Sequence, residues 1–227
     1  MKVQEEGLKE PPQSDESNPS SWVPIRLLKP MDRHAIGVHL LALAGRDRYL
    51  RFGHYASDDQ VQRYVDGLDF DRDLLFGVFD RLATLVAVGH LAFVPGSHLN
   101  LCAEFGVSVA QGARGLGYGG RLFERAVMQA RNEGVEMLYI HALSENTAMI
   151  RIAQGAGAEI ARNGAESEAC LSLLPATLDS RVSALVDEQL AQTDYQLKLH
   201  ARQWRVFLQK LRMLRARVWL DSSHKSQ

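Results

Sequence analysis

The sequence predicts an α/β fold, in which a central mixed and mostly antiparallel sheet is flanked by helices and followed by a long C-terminal helix. Three observations lead to this prediction. Between residues 22 and 175, short runs of β-branched and aliphatic residues alternate with segments of helical periodicity. In the centre of this region a strand, a glycine-rich loop, a helix and another strand follow one another. Beyond Pro175 there is no Gly or Pro, and apolar residues recur at spacings of three and four.

The first half of the chain begins with a tail. Residues 1–21 hold three prolines, four serines and an excess of acidic residues, so we expect disorder there. Residues 22–175 form the predicted domain. Its first half is predicted to contain a strand, two helices and a hairpin of two strands, at 22–28, 30–45, 58–67, 74–79 and 84–94. Pro30 opens the first of these helices and Gly45 ends it.

The second half of the domain surrounds the glycine-rich loop. A strand at 103–109 leads into the loop, and a helix at about 117–132 follows it. The remaining patterns predict a strand, a helix and two closing strands, at 137–142, 146–154, 159–162 and 168–173. The last segment, 176–227, is predicted to be one amphipathic helix.

Composition excludes several classes of protein. The chain has 26 basic and 27 acidic residues, so overall charge gives no reason to expect a nucleic-acid or membrane partner. The N-terminus is acidic and lacks the apolar core of a secretory signal, which favours a cytoplasmic protein. Cys102 and Cys170 are too few for a disulfide framework or a four-cysteine zinc site, and we expect reduced thiols and no metal.

The glycine-rich loop is the strongest candidate for a binding site. Its sequence is Arg114-Gly115-Leu116-Gly117-Tyr118-Gly119, between an apolar strand and a helix. Such a turn points backbone N–H groups outward at the positive end of the helix dipole, which suits a pyrophosphate. No Gly-Lys-Ser/Thr follows, so it is not a Walker loop, and the βαβ context of a dinucleotide fingerprint is missing.

This loop resembles the pyrophosphate loop of the GNAT (GCN5-related) N-acetyltransferases, Arg/Gln-x-x-Gly-x-Gly/Ala, through Arg114, Gly117 and Gly119. Residues 146–158 are similar to the helix that begins with Asn in that family. The resemblance implies a GNAT fold, acetyl-CoA as cosubstrate, and a primary amine as acceptor. Within the family, residues 48–52, 69–73, 103–105 and 146–149 resemble the acetyltransferase domain of bacterial protein-lysine acetyltransferases, so a protein lysine is slightly favoured over a small amine.

The resemblance also implies which residues bind the cosubstrate. In the family the strand at 104–109 separates from the strand at 137–142, and its unpaired amides hold the pantetheine and the thioester oxygen. The expected cofactor-binding residues are the end of this strand, the loop and the Asn that follows: Val107, Ser108, Val109, Arg114, Gly115, Leu116, Gly117, Tyr118, Gly119 and Asn146.

Direct transfer to an amine requires a general base, and Glu104 is the candidate, because the similar lysine acetyltransferases use a glutamate. His90 and His141 are fallback bases, and a solvated strand-end carboxylate is the structural alternative for Glu104. The tyrosine that commonly serves as general acid is replaced by Ala153, so water or Ser144 is expected to protonate the thiolate. Asn146 either contacts the pantetheine or a bridging water, or only caps its helix.

The C-terminal helix has three interpretations. It packs on its own domain or on a second copy through a coiled-coil-like seam, giving a homodimer. Alternatively it docks a protein partner, since 198–217 contains seven basic residues and no acidic one. Binding of nucleic acid or lipid is the weakest of the three, because the aromatic residues share the apolar face. A non-catalytic acetyl-CoA sensor is the alternative function that the missing tyrosine allows.

Overall fold

The computed structural model describes residues 23–94, 101–176, 182, 185–203 and 205. The predicted tail at 1–21 lies outside the described residues, and so does the predicted helix beyond 205. The strands are β1 (Ile25–Leu27), β2 (Leu74–Phe79), β3 (Leu85–Val94), β4 (Cys102–Val109), β5 (Met137–Leu143), β6 (Glu159–Asn163) and β7 (Glu166–Ser172). The helices are α1 (Arg33–Leu41), α2 (Gly45–Phe52), α3 (Asp58–Asp66), α4 (Tyr118–Asn132), α5 (Thr147–Gly155) and α6 (185–203).

In the described part of the chain the seven strands form one sheet, in the order β1-β2-β3-β4-β5-β7-β6. All neighbours are antiparallel except β4 and β5, which run parallel. Helix α4 lies between β4 and β5 in the sequence, and it supplies the crossover connection that a parallel pair of strands needs. The mixed, mostly antiparallel sheet flanked by helices is therefore confirmed.

Two apolar clusters lie on opposite faces of the sheet. The face toward α4 and α5 holds Phe105 and Leu122, both fully buried. The face toward α1 and α3 holds Ile36, Val61 and Val88. Because strand side chains alternate between faces, β4 presents Phe105 to the first cluster and its even-numbered residues to the second face.

The pairing of β4 with β5 stops early, and this is the feature that positions the site. Only Cys102, Ala103 and Glu104 have partners on β5, whereas β4 pairs with β3 along its whole length to Val109. Residues 105–109 therefore border an opening between the two parallel strands. Backbone groups on that edge are available to a ligand, because a strand edge carries N–H and C=O groups that need partners.

The predicted helix at 30–45 is too long at its C-terminal end. The structure has α1 ending at Leu41, and Gly45 begins α2 instead of ending the first helix. Arg48 explains the break, since its guanidinium donates to Leu41 O at 2.6 Å and to Asp58 Oδ1 at 2.5 Å. A side chain from the next helix thus satisfies a carbonyl at the end of α1, which no local sequence signal reports.

Helix α6 packs on the edge of its own sheet. Glu188 accepts hydrogen bonds from Leu27 N at 3.1 and 3.2 Å, and Lys198 donates to Phe79 O at 2.9 Å. Tyr195 lies against the Phe79 ring with centroids 4.5 Å apart. The apolar register expected to pack is instead exposed at its described members, among them Val186, Leu190 and Leu197. No helix in the described part of the chain is long and apolar enough to cross a membrane.

Candidate active site

Glu104 lies at the point where β4 and β5 part. It is the last residue of β4 that pairs with β5, opposite Tyr139, and it is exposed. Its side chain has no hydrogen-bond or ion-pair partner among the residues that the structure describes. A free carboxylate at the mouth of the opening can accept a proton from a group that enters there.

The expected phosphate loop has an open backbone conformation. Gly115 and Gly117 both have φ of +77°, and a Cβ added at either would meet no atom within 4 Å. Gly117 precedes the first residue of α4, so the N-terminal amides of a 15-residue helix face the same space. Open space, accessible amides and the positive end of a helix dipole fit a pyrophosphate.

Three other loop residues have structural contacts. Gly119 faces α5, and a Cβ there would lie 3.3 Å from Ile152 Cδ1, so its small size permits α4 and α5 to approach. Arg114 forms an ion pair with Asp47 of α2. Leu116 is 42% exposed and Tyr118 packs against the core. The loop is therefore held at one end by α2 and at the other by α5.

Asn146 caps α5. Its Oδ1 accepts a hydrogen bond from Met149 N at 3.2 Å, and its Nδ2 donates to Leu50 O of α2 at 3.5 Å. The oxygen of this side chain thus acts as the helix cap that was one of the two expectations, and its nitrogen connects α5 to α2. Its contact with a pantetheine or a bridging water stays a prediction.

Ser144 lies at the far end of β5. Its hydroxyl donates to Gly164 O at 3.1 Å and is 2.9 Å from the hydroxyl of Ser167. Tyr139, opposite Glu104, is five residues earlier in a strand, about 17 Å away along the backbone. The structure does not bring Glu104 and Ser144 together, and Ala153 is fully buried and offers no hydroxyl.

A half-buried polar network that the sequence did not reveal lies on the α1–α3 face of β4. Arg51 donates to the Tyr64 hydroxyl at 2.8 Å, and that hydroxyl lies 2.7 Å from His90 Nδ1. His90 Nε2 lies 3.2 Å from Asp73 Oδ2. The ionised Asp73 can only accept, so His90 Nε2 donates to it, and in a neutral imidazole Nδ1 then accepts the proton of the Tyr64 hydroxyl, whose oxygen accepts from Arg51. This order requires a neutral imidazole.

The pKa shifts agree with that order. Burial lowers the pKa of His90, and the charge of Arg51 lowers it further, against the raising effect of Asp73. Burial alone would raise the pKa of the Asp73 carboxyl, but hydrogen bonds with Arg72, His90 and the backbone of Phe93 outweigh it and keep that pKa low. Of this network the sequence analysis named only His90, as a fallback base, and no sequence pattern indicated a role for Tyr64.

Ser108 belongs to the same face and bonds to α1. Its hydroxyl lies 2.9 Å from His39 Nε2, and both residues are buried. Burial lowers the pKa of His39 to about 4, because hydrogen bonds to Leu85 and Ser108 offset the desolvation only in part and Arg51 adds repulsion. His39 is therefore neutral at pH 7. The side chain of Ser108, an expected cofactor residue, is directed to α1.

The two cysteines flank Tyr139 on the open part of the sheet. Both are free and half-buried. Burial raises the pKa of the Cys170 thiol, and Glu168 and Glu159 raise it further. The pKa of Tyr139 is raised by Cys170 and then by Cys102. A protonated Cys170 thiol is a poor nucleophile, so acyl transfer through it is disfavoured. The described residues contain no group of three or more His, Cys, Asp or Glu that could hold a metal ion.

The comparisons with known proteins agree with this geometry. The GNAT domain of S. lividans PAT has a TM-score of 0.56 at 19% identity, covering 66% of this chain and 89% of that chain. The ribosomal-protein-alanine N-acetyltransferase of Brucella melitensis gives 0.51 at 17%, covering 66% and 99%. The yncA protein of Salmonella typhimurium, solved with its cofactor acetyl-CoA, gives 0.51 at 16%, covering 69% and 97%. At such identities these structures show the fold.

The family follows from a sequence model. The model of the acetyltransferase (GNAT) family matches residues 40–158, more than half of the chain, and no curated protein matched. The family model thus defines an acyl-CoA-dependent N-acetyltransferase. The chain belongs to the acetyltransferase (GNAT) family, and acetyl-CoA is its cosubstrate. The resemblance to the GNAT family that the loop and residues 146–158 showed is confirmed.

Proposed function

We propose that this enzyme transfers the acetyl group of acetyl-CoA directly to a primary amine, with a protein lysine slightly favoured, and that Glu104 is the general base. The position of Glu104 carries the proposal. It is exposed, unpaired within the described residues, and lies where β4 leaves β5. The similarity in fold to the GNAT domain of S. lividans PAT supports a protein acceptor.

The cosubstrate would be held by backbone along β4 and the loop. Residues 107–109 border the opening, and their edge toward β5 is free of strand pairing. The amides at the start of α4, with Gly115 and Gly117, would bind the pyrophosphate. When bound, acetyl-CoA supplies the activated acyl group. The protein would orient its carbonyl toward the amides of β4, which would stabilise negative charge on the oxygen.

The base has a defined energetic task. A lysine amine has a pKa near 10.4, so at pH 7 on the order of one molecule in two thousand is neutral, equivalent to about 4.6 kcal/mol. Glu104 would accept the ammonium proton as the nitrogen attacks. The departing thiolate needs a proton as well. Water is our choice over Ser144, because the Ser144 proton is engaged with Gly164 O.

Glu104→Gln tests the assignment. We expect turnover to fall at least about a hundredfold at pH 7, while acetyl-CoA affinity changes little, because the amide keeps the shape but cannot accept the proton. Turnover is measured as CoA release with an amine-rich protein extract, and affinity by calorimetry. Glu133→Gln, at an exposed residue beyond α4, is the matched control. An unchanged rate in Glu104→Gln would remove this residue from the mechanism.

Two further proposals concern the whole protein. Homodimerisation through the C-terminal helix is compatible with the exposed apolar side chains of α6, Leu185, Val186, Leu190 and Leu197, which repeat at helical spacing. The opposite side of this helix is already packed on β1 and β2. A cytoplasmic location stays a prediction from the sequence.

A further inference from the structure

Arg51 lies directly on strand β4, at a residue that borders the opening. A Cβ added to Gly106 would lie 2.9 Å from Arg51 Cζ and 3.0 Å from both terminal nitrogens, so the guanidinium lies flat against this glycine. Gly106 follows Glu104 by two residues and shares its face of the strand, about 7 Å along the backbone. The guanidinium is thus close to the proposed base, on the side where the base is exposed.

The charge of Arg51 is not neutralised by a carboxylate within the described residues. Within the described residues its side chain donates one hydrogen bond to the Tyr64 hydroxyl and stacks on the Phe52 and Tyr64 rings, with Cζ 5.3 Å from each centroid. The side chain is half-buried, so it has lost part of its hydration. Arg48 of the same helix, by contrast, donates to Leu41 O and to Asp58 Oδ1. Arg51 therefore keeps unused donors near the reacting groups.

The guanidinium is held in place by the network behind it. Tyr64 accepts from Arg51, His90 accepts from Tyr64, and Asp73, which is 5% exposed, accepts from His90. A half-buried cation that is held in a fixed orientation with free donors is preorganised to bind an anion. A planar fork with a fixed orientation is complementary to a carboxylate, which takes two parallel N–H donors.

We propose that Arg51 is the binding site for a carboxylate carried by one of the two substrates, next to the reacting carbonyl or amine. The carboxylate comes either from the acyl chain, as in succinyl-CoA or malonyl-CoA, or from the acceptor, which would then be an α-amino acid in place of the slightly favoured protein lysine. Tyr64, His90 and Asp73 are positioning residues for Arg51. This inference rests on the proposed function, because it needs the substrates to meet beside Glu104.

The test compares charged and uncharged substrates in Arg51→Gln, with Arg46→Gln as matched control, because Arg46 lies in the same helix, is 74% exposed and pairs with Glu145. In the first arm, calorimetry gives the affinities of succinyl-CoA, malonyl-CoA and acetyl-CoA. In the second, CoA release from acetyl-CoA is measured with a mixture of α-amino acids and with their methyl esters. The wild-type protein should prefer the carboxylate form in one arm, and Arg51→Gln should lower that preference about tenfold or more.

Three results overturn the proposal. One is the absence of a carboxylate preference in both arms with the wild-type protein. Another is a preference that survives Arg51→Gln. The third is an equal loss for charged and uncharged substrates, which would assign Arg51 to the negative charge that every acetyl transfer develops. The first arm measures binding and does not need turnover. A preference for succinyl-CoA or malonyl-CoA in that arm should therefore persist in Glu104→Gln, whether or not Glu104 is the base.

Tyr64→Phe tests the positioning residues and guards against misfolding of the first variant. It removes the hydroxyl that orients Arg51 but keeps the ring on which Arg51 stacks. We expect part of the carboxylate preference to be lost, with an unchanged KM for acetyl-CoA. Arg51→Lys should retain part of the preference, since it keeps the charge and loses the fork. A full preference in Tyr64→Phe would show that the network only stabilises the fold.

Discussion

The loop after β4 and the face of β4 itself are built in different ways. The loop after β4 is shaped by backbone, with Gly115 and Gly117 in the left-handed region and open space where side chains would be. The face of β4 itself is shaped by side chains from other helices, with Arg51 over Gly106 and His39 on Ser108. A site formed by backbone groups depends on a short stretch of sequence. A site built from side chains needs the fold to assemble it.

The largest effect that would sharpen this comparison concerns His39. Its folded pKa is about 4 against 6.5 in the unfolded chain, so between these values the unfolded state binds more protons. The wild-type protein should therefore lose about 3 kcal/mol of stability through this residue as the pH falls from 6.5 to 4. Urea unfolding at several pH values measures it.

His39→Gln should not show that part of the pH dependence, because glutamine does not titrate. His141→Gln, at an exposed strand position, is the control and should follow the wild-type curve. Curves for wild type and His39→Gln that stay parallel from pH 7 to pH 4 would mean that His39 is not held neutral by burial.

Gly117→Ala should produce the next largest effect, at the loop. Alanine at φ of +77° costs about 1 to 2 kcal/mol, and its methyl group enters the space proposed for phosphate oxygens. We expect acetyl-CoA affinity to fall about tenfold by calorimetry. Gly112→Ala, with open space and an ordinary φ, is the control. Undiminished affinity would argue that the pyrophosphate binds elsewhere.

Gly106→Ala should have the smallest effect on stability and a specific effect on substrate choice. The atoms that its Cβ would meet belong to the end of the Arg51 side chain, which can leave its position at the cost of its hydrogen bond to Tyr64, so we expect a cost of about 1 kcal/mol. Displacing the guanidinium should reduce the carboxylate preference about tenfold without changing acetyl-CoA affinity. Thermal unfolding and the two substrate arms measure both. If Gly106→Ala and Gly117→Ala change acetyl-CoA affinity and carboxylate preference in the same way, the distinction between the face of β4 and the loop fails.

Helix α6 shows why sequence periodicity found an element but not its packing. A helix at this position is present, but the register of Val186, Leu190 and Leu197 is exposed. The packed side uses Ala191 and Tyr195 with polar contacts from Glu188 and Lys198 to backbone atoms of the sheet. Those contacts satisfy the edge of β1 and the end of β2. A hydrophobic pattern carries no information about them.

The sequence alone determined the features that depend on neighbouring residues. The turn at Asp80 between β2 and β3, the loop at Gly115 and Gly117, and the cap at Asn146 follow from local backbone preferences. These features, with the order of strands and helices, were enough to indicate the family. They also placed Glu104 at the start of the strand before the loop.

The tertiary structure alone decided where β4 separates from β5 and what covers the face of β4 beside Glu104. Arg51, Tyr64, Asp73 and His90 come from two helices, a loop and a strand, and their hydrogen bonds join residues 13 to 26 positions apart. Such contacts form because burial of the surrounding apolar residues brings these elements together and forces polar groups to find partners. The physical reason for the limit is that burial depends on the whole fold, whereas backbone preferences depend on a few residues.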